Sequence, residues 1–375
     1  MAKKRNFKYW TGRLHLWLGL ASGLIVCFLG ISGCILAFEQ EIRGFTEPYL
    51  FTTAQNQTLL PPSALRVIAN KALPDKHDPH SISYQPGKSA QAAYYNADPE
   101  YYWIVYINPY TGQVLKVKNM STDFFRIVLD GHYYLWLPPT VGQPILTSAT
   151  LIFVVLLISG LILWWPKNKA AAKQRFSIKL NARWRRVNYD MHNVLGFYMA
   201  WVIIFIALTG MVMGFQWFAG SVYWLSSGGK TQVAYYEAES DTTAKTVQHL
   251  PAIDQIWNKT RAALPGFKGS IDVHIPENNK AAIEVAINPD TYTYWKSDYI
   301  YYDQYTLKEI PVKHIYGKLQ KASAADKLAR MNYDIHIGAI AGLPGKIIAF
   351  CASLIAASMP VTGFIIWWGR RKKRN

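Results

Sequence analysis

The sequence predicts a membrane α+β fold: a four-transmembrane-helix bundle with two small exported α+β domains, built by internal duplication. Three observations predict it. Four apolar stretches, at about 15–38, 141–165, 193–218 and 343–368, each exceed the roughly 20 residues needed to cross a bilayer core. The excess positive charge lies only in short segments beside those stretches. The motifs of the first half recur, in order, in the second.

Taken along the chain, 1–38 is a basic N-terminus and first span, and 39–131 the first exported domain. A second span (132–165), a basic loop (166–191) and a third span (192–218) follow. The second exported domain (219–335), the fourth span (336–369) and a basic tail (370–375) complete it. Residues 1–13, 166–191 and 370–375 hold five, eight and five Lys/Arg against one acid, Asp190, which accounts for the whole net charge of +17. That is the positive-inside pattern, so both termini and the 166–191 loop are expected to be cytoplasmic. Topology and anionic lipid headgroups explain the charge, which excludes a nucleic-acid partner. The pairs Trp164-Trp165 and Trp367-Trp368 mark span ends at the headgroup level. Cys27, Cys34 and Cys351 all fall within spans, so there is no disulfide framework. Ile31-Ser32-Gly33-Cys34 looks like a lipoprotein cleavage box. Because Thr209-Gly210-Met211 repeats the pattern without a cysteine, the small pair is read as helix packing.

The repeat is detailed. His15-x3-Gly19 is followed 18 residues after the histidine by Gly33, and His192-x3-Gly196 at the same spacing by Gly210. His132 leads to Ser159-Gly160 and His336 to Thr362-Gly363, each before its Trp pair. Outside the spans, "LPPSALRVIANKALP" (60–74) matches "LPAIDQIWNKTRAALP" (250–265), a proline-bounded amphipathic helix. Alternating runs "SISYQ", "YYWIVYI", "SIDVHI" and "AAIEVAI" read as strands. "VYINPYTGQVLKV" (105–117) aligns without a gap to "IYYDQYTLKEIPV" (300–312), and Pro109 and Gly112 predict a tight hairpin.

This arrangement resembles the PepSY-associated transmembrane family, also known as iron-regulated membrane proteins. The resemblance covers most of the chain and rests on the H-x3-G span starts, the S/T-G…W-W span ends and "NPYTG"; the second copy lacks the Pro and Gly of that turn. Similar proteins include inner-membrane reductases of ferric siderophores. The resemblance therefore implies a bacterial inner (cytoplasmic) membrane, PepSY-like domains in the periplasm, and reduction of a chelated Fe(III) that releases Fe(II) for uptake.

Of nine histidines, His77, His80, His249, His274 and His314 lie in the outer segments without metal-like spacing. The other four open the spans: His15 and His192 at the cytoplasmic side, His132 and His336 at the outer side. Ionisable groups at membrane depth are costly and point to function. An α-helix turns about 100° per residue, so Gly33 lies directly along the helix from His15, about 27 Å away. Gly19 heads the same stripe of small residues, and Gly196 and Gly210 repeat it after His192. Such stripes usually mean close helix packing; headed by a histidine, they also suit a flat ring that needs room beside the backbone.

Haem fits this pattern, with iron taking an imidazole on each side. Two b-type haems are expected, one between His15 and His192 and one between His132 and His336. Gly19, Gly196, Gly33 and Gly210 would make room for them. A zinc or copper site would need more ligands; Asp190 and Asp334, two residues before their histidines, suit at most a supporting role. No C-x-x-C-H is present for covalent attachment. Two centres across a bilayer form an electron path, from a cytoplasmic flavoprotein or membrane quinol to a ferric siderophore outside. Two alternatives stay open: a haem subunit serving another exported protein, and a non-redox module binding peptides or peptidases.

Overall fold

The computed structural model describes residues 6–371 apart from 56, 98, 167, 170, 171, 173, 174 and 245–249. Helix α1 (Phe7–Ala37) and short α2 (Glu39–Thr46) lead to α3 (Pro62–Ala72) and strands β1 (Ser81–Tyr84), β2 (Ala90–Ala97), β3 (Glu100–Ile107) and β4 (Val114–Asn119). Helices α4 (Phe124–Tyr134), α5 (Pro139–Trp164), α6 (Trp184–Gly214) and α7 (Gln216–Ser226) follow. Then come α8 (Ala252–Ala263), β5 (Ser270–His274), β6 (Ile283–Asn288), β7 (Asp298–Tyr302), β8 (Glu309–Ile310), α9 (Ala324–His336) and α10 (Gly342–Arg371). The chain divides into two compact units: Met1–Glu39, Ile127–Val222 and Asn332–Asn375 form one, Gln40–Arg126 and Tyr223–Met331 the other.

The first unit is a membrane bundle. Among the described residues, four helices are long and apolar enough to span a bilayer: α1, α5, α6 and the stretch Ala339–Arg371 that contains α10. They pack in a ring, α1 against α5 and α10, and α6 against α5 and α10. Small residues set the closest approach. A Cβ on Gly30 would come within 2.7 Å of the Ser353 carbonyl oxygen and 2.8 Å of the Ala357 Cβ, so α1 and α10 meet almost backbone to backbone. Of the first tryptophan pair only Trp165 is exposed; Trp164 is buried and stacks on Phe197 at 3.6 Å, an α5–α6 contact rather than a headgroup anchor.

Span boundaries differ from expectation in an informative way. Helices α1 and α6 start about two turns before His15 and His192, so these histidines sit inside the helices. The Asn6 side chain caps α1 by accepting from the Tyr9 amide at 3.1 Å. His132 and His336 instead ride on the last turns of α4 and α9, short helices that precede α5 and α10. Leu135 and Trp136 adopt φ of 55° and 57°, which ends α4, and Pro138 and Pro139 restart the chain as α5. Trp136 folds back and donates its indole N–H to the Ile127 carbonyl at 2.7 Å. A Cβ on Gly131 would collide with that indole, which explains the glycine beside His132. Gly338, at φ 78°, makes the corresponding break after α9.

The second unit is an α+β layer. The segments 39–131 and 219–335, expected as separate exported domains, contribute four strands each to one continuous antiparallel sheet ordered β4-β3-β2-β1-β5-β6-β7-β8. The seam pairs Ser81 with His274, Ile82 with Val273, Ser83 with Asp272 and Tyr84 with Ile271. Alternation sends Ile82, Tyr84, Ile271 and Val273 to one face, where α3 and α8 cover them with Leu65, Ala69, Ile256 and Trp257. Tyr84 and Trp257 stack at 4.1 Å in this core. Asp254 on α8 accepts from the Ser63 amide at 2.9 Å and its hydroxyl at 2.5 Å, so one helix caps the other. The expected helices and four strands (β1, β3, β5 and β6) all form; β2, β4, β7 and β8 complete the sheet around them. The predicted hairpin joins β3 to β4, with Gly112 at φ 76°.

A cluster of charges anchors α2. Arg43 pairs with Asp123 and, at 2.9 Å, with Glu47; Lys118 reaches Glu47 and Asp123, each at 2.6 Å. Asp123 also caps α4 by accepting from the Arg126 amide at 3.1 Å. Ser323 and Asp326 form a reciprocal capping box at the start of α9: the Ser323 amide donates to the Asp326 carboxylate at 3.0 Å and the Asp326 amide to the Ser323 hydroxyl at 3.1 Å.

Candidate functional site

The four span histidines are held in the same way. His15 Nδ1 lies 2.9 Å from Ser159 Oγ and His132 Nδ1 2.8 Å from Ser32 Oγ. His192 Nδ1 lies 2.8 Å from Thr362 Oγ1 and His336 Nδ1 3.0 Å from Thr209 Oγ1. Helix α1 thus supplies a histidine to α5 and a serine to the histidine leading into α5. Helices α6 and α10 exchange the same two groups.

The hydroxyls dictate the tautomer. Each is also placed to donate to a carbonyl of its own helix: Ser32 to Phe28 at 2.8 Å, Ser159 to Leu156 at 3.1 Å, Thr209 to Phe205 at 2.8 Å and Thr362 to Ser358 at 3.0 Å. With its hydrogen so used, the oxygen accepts from the imidazole Nδ1–H. For His336 the Ile206 carbonyl, 3.0 Å from the same nitrogen, also demands a donor there. The proton on Nδ1 leaves Nε2 with its lone pair free. No hydrogen bond reaches Nε2 of any of the four among the described residues.

The glycine after each hydroxyl residue completes the slot. An ideal Cβ would lie 3.6 Å from His132 Cε1 at Gly33, and 3.3 Å from His336 Cε1 at Gly210. At Gly160 it would lie 3.4 Å from His15 Cε1, and at Gly363 3.3 Å from His192 Cε1. Gly33 and Gly210 therefore make room first for an imidazole. Gly19 and Gly196 do not touch a histidine; their nearest side chains are Leu156 and Met359.

His132 and His336, brought together from the two halves, have ring centres 6.3 Å apart with planes 65° from parallel. With an iron about 2.0 Å from each nitrogen, the usual metal–imidazole length, and ring centres about 1.1 Å behind, facing imidazoles on one ion would stand about 6.2 Å apart. The observed separation fits. Both histidines line a largely apolar cavity inside the bundle, together with Gly30, Gly33, Gly210 and Gly214. His15 and His192 lie within electrostatic reach of each other. Among the described residues no group of three or more His, Cys, Asp or Glu is placed to hold a metal ion. Two imidazoles are too few for zinc; they would suit a haem, which His132 and His336 would hold between them.

The hydroxyl partners of the four histidines are not apparent from the sequence. In the sequence Ser32 and Thr209 read as helix-packing residues, and Ser159-Gly160 and Thr362-Gly363 as span-end markers. Two asparagines were also missed. Asn188 donates to the Thr362 carbonyl at 3.1 Å and Asn332 to the Thr209 carbonyl at 3.2 Å, each one turn before a histidine. Asp190 is buried against Arg186 at 2.9 Å, so no histidine uses it. Of the outer histidines, His77 is exposed and His249 lies outside the described residues. The β1–β5 seam brings His80 to His274, ring centres 4.8 Å apart, with Glu277 and Glu284 3.7 and 3.8 Å away. Burial pushes both of these imidazoles below their ordinary range. His314 is buried among Tyr235, Tyr236 and Tyr301.

Bundle and histidines define a class: a four-span membrane protein with paired intramembrane imidazoles and an attached α+β layer. The chain matches the PepSY-associated TM region over residues 12–370, and it belongs to that family. No curated protein matches it.

Proposed function

We propose that this protein is a di-haem reductase of the bacterial inner membrane that passes electrons outward to a ferric siderophore, built from two copies of a span–PepSY-like domain–span unit. The observation that carries the reading is the 6.3 Å separation of His132 and His336, with both Nδ1 atoms bonded to hydroxyls. A haem bound at each pair would supply one-electron transfer; the chain supplies everything that positions it. Ser32 and Thr209 fix the outer imidazoles in the ligating tautomer, and Ser159 and Thr362 do so for the inner ones. Apolar side chains such as Val26, Leu146 and Ile203 line the cavity beside the outer pair and exclude water. The basic 166–191 segment supports a cytoplasmic inner side, where a flavoprotein or quinol would donate. On the outer side, reduction weakens the hold of hard oxygen ligands on iron.

The test is to replace His15, His132, His192 and His336 singly by Ala and measure haem per protein. Losses should group His15 with His192 and His132 with His336. Grouping of His15 with His132, or colourless wild-type protein, would overturn the reading. Stopped-flow oxidation of the reduced protein by ferric siderophores then separates a reductase from a haem subunit serving another protein.

A further inference from the structure

The α+β unit contains a second cavity, of about 300 Å³. It is built where the turn after β1, the β3–β4 hairpin and the end of α8 converge. Tyr84 and Trp257 form an aromatic wall, stacked at 4.1 Å, and Tyr110 and Phe267 add two more rings. Gly87 and Gly266, at φ 76° and 70°, turn the chain on either side so that these rings can converge.

Its charged groups are of one sign. Lys88 and Arg261 line the cavity, and no Asp or Glu does. Neither cation has a carboxylate partner among the described residues: the Lys88 ammonium stands 5.7 Å from the Phe51 ring centre and the Arg261 guanidinium 5.4 Å from that of Trp257. The Gln85 amide and Tyr110 hydroxyl also make no hydrogen bond among the described residues. Lys88 is half-buried, which depresses its ammonium and makes an unpaired charge there costly. Two cations and two neutral hydrogen-bonding groups over an aromatic wall suit a flat ring carrying negative charge.

We propose that this cavity binds an aromatic anion, the catecholate or phenolate arm of an iron chelate. The aromatic-anion assignment stands on the cavity alone; the iron rests on the reductase reading above. The ring would lie against Tyr84 and Trp257, with its oxygens toward Lys88 and Arg261. The space suits one arm, which leaves the rest of a chelate outside.

The probe is 2,3-dihydroxybenzoate, titrated into full-length purified protein by equilibrium dialysis, alone and as its ferric complex. Saturable binding is expected, and Lys88→Gln with Arg261→Gln should weaken it at least about tenfold, the scale of one charge-assisted hydrogen bond. Lys88→Arg should retain binding, and neutral benzamide should bind far more weakly. Absence of saturable binding, equal affinity in the double variant, or equal affinity for benzamide would overturn the proposal. Binding is also measured in His132→Ala. Unchanged affinity there separates the cavity from the haem, so a colourless wild type that binds the probe would remove the reductase reading and leave the cavity standing.

Discussion

Ser32 on α1 accepts the Nδ1 proton of His132, 2.8 Å away and one hundred residues later in the chain. The bond fixes both the tautomer and the orientation of an imidazole that rides on the end of a short helix. Removing such a support typically weakens metal binding about 10–100-fold. We expect Ser32→Ala to lower haem affinity at the outer pair by that factor and to leave the inner pair unchanged. Titrating haem into apoprotein and resolving the two sites by their reduction potentials checks this. Thr209→Val, which keeps the shape and removes the hydroxyl, should act likewise through His336.

The glycine slots should respond in graded fashion. At Gly33 an added Cβ makes ordinary contact with His132, at 3.6 Å, so Gly33→Ala should keep its haem. At Gly210 and Gly363 the distance is 3.3 Å, tighter than most real contacts, so Gly210→Ala and Gly363→Ala must push the ring aside. We expect partial haem loss or a high-spin component in the optical spectrum of these two. Gly33→Leu should displace His132 outright. Equal spectra across the series would show that the glycines serve helix packing alone.

How much of this was readable differs by level. Hydropathy alone places the spans, because a bilayer demands a minimum apolar length. The fusion of the two segments outside the spans was not readable: the β1–β5 seam joins strands nearly two hundred residues apart, and nothing local in "SISY" names its partner. Strand β2 was missed because "AQAAYYNA" is half alanine, a weak strand former. At the site, type was legible and partnership was not. Each S/T-G pair lies about one span length from a histidine, so an antiparallel neighbour brings it level with that neighbour's own histidine. That spacing was the available signal, but it becomes a contact only once helix adjacency is known.

The charge cluster around Asp123 makes acid sensitivity predictable. Burial alone would raise this carboxyl, but hydrogen bonds from Arg43 and Lys118 and the Arg126 amide outweigh it and hold it at about 2, below its ordinary 3.8. A folded-state value below the unfolded one gives stability that is complete above about pH 4 and is lost as pH falls toward 2. The contribution of Asp123 to the urea unfolding midpoint of the α+β unit should therefore be constant with pH above pH 4 and decline below it. Asp123→Asn should be less stable at pH 7, since Arg43 and Lys118 lose a charge partner, and should show a shallower fall between pH 4 and 2. A slope equal to wild type would mean that other carboxyls govern the acid limb.

Gly30 tests whether the bundle tolerates any separation of α1 from α10. Its Cβ position is 2.7 Å from the Ser353 carbonyl oxygen, 2.8 Å from the Ala357 Cβ and 2.9 Å from the Ala357 amide nitrogen. Two of these are backbone atoms, so no rotamer change relieves the clash, and the helices must move apart. Overpacking of this kind costs about 1–3 kcal/mol. Because Gly30 also lines the cavity beside His132 and His336, that movement should reach the outer pair. We expect Gly30→Ala to lower the thermal midpoint in detergent and to shift the outer haem's potential more than the inner one's. Gly19→Ala, whose Cβ would meet only the end of Leu156 at 3.8 Å, is the matched control and should change neither. Wild-type behaviour of Gly30→Ala would refute the close α1–α10 approach on which the cavity depends.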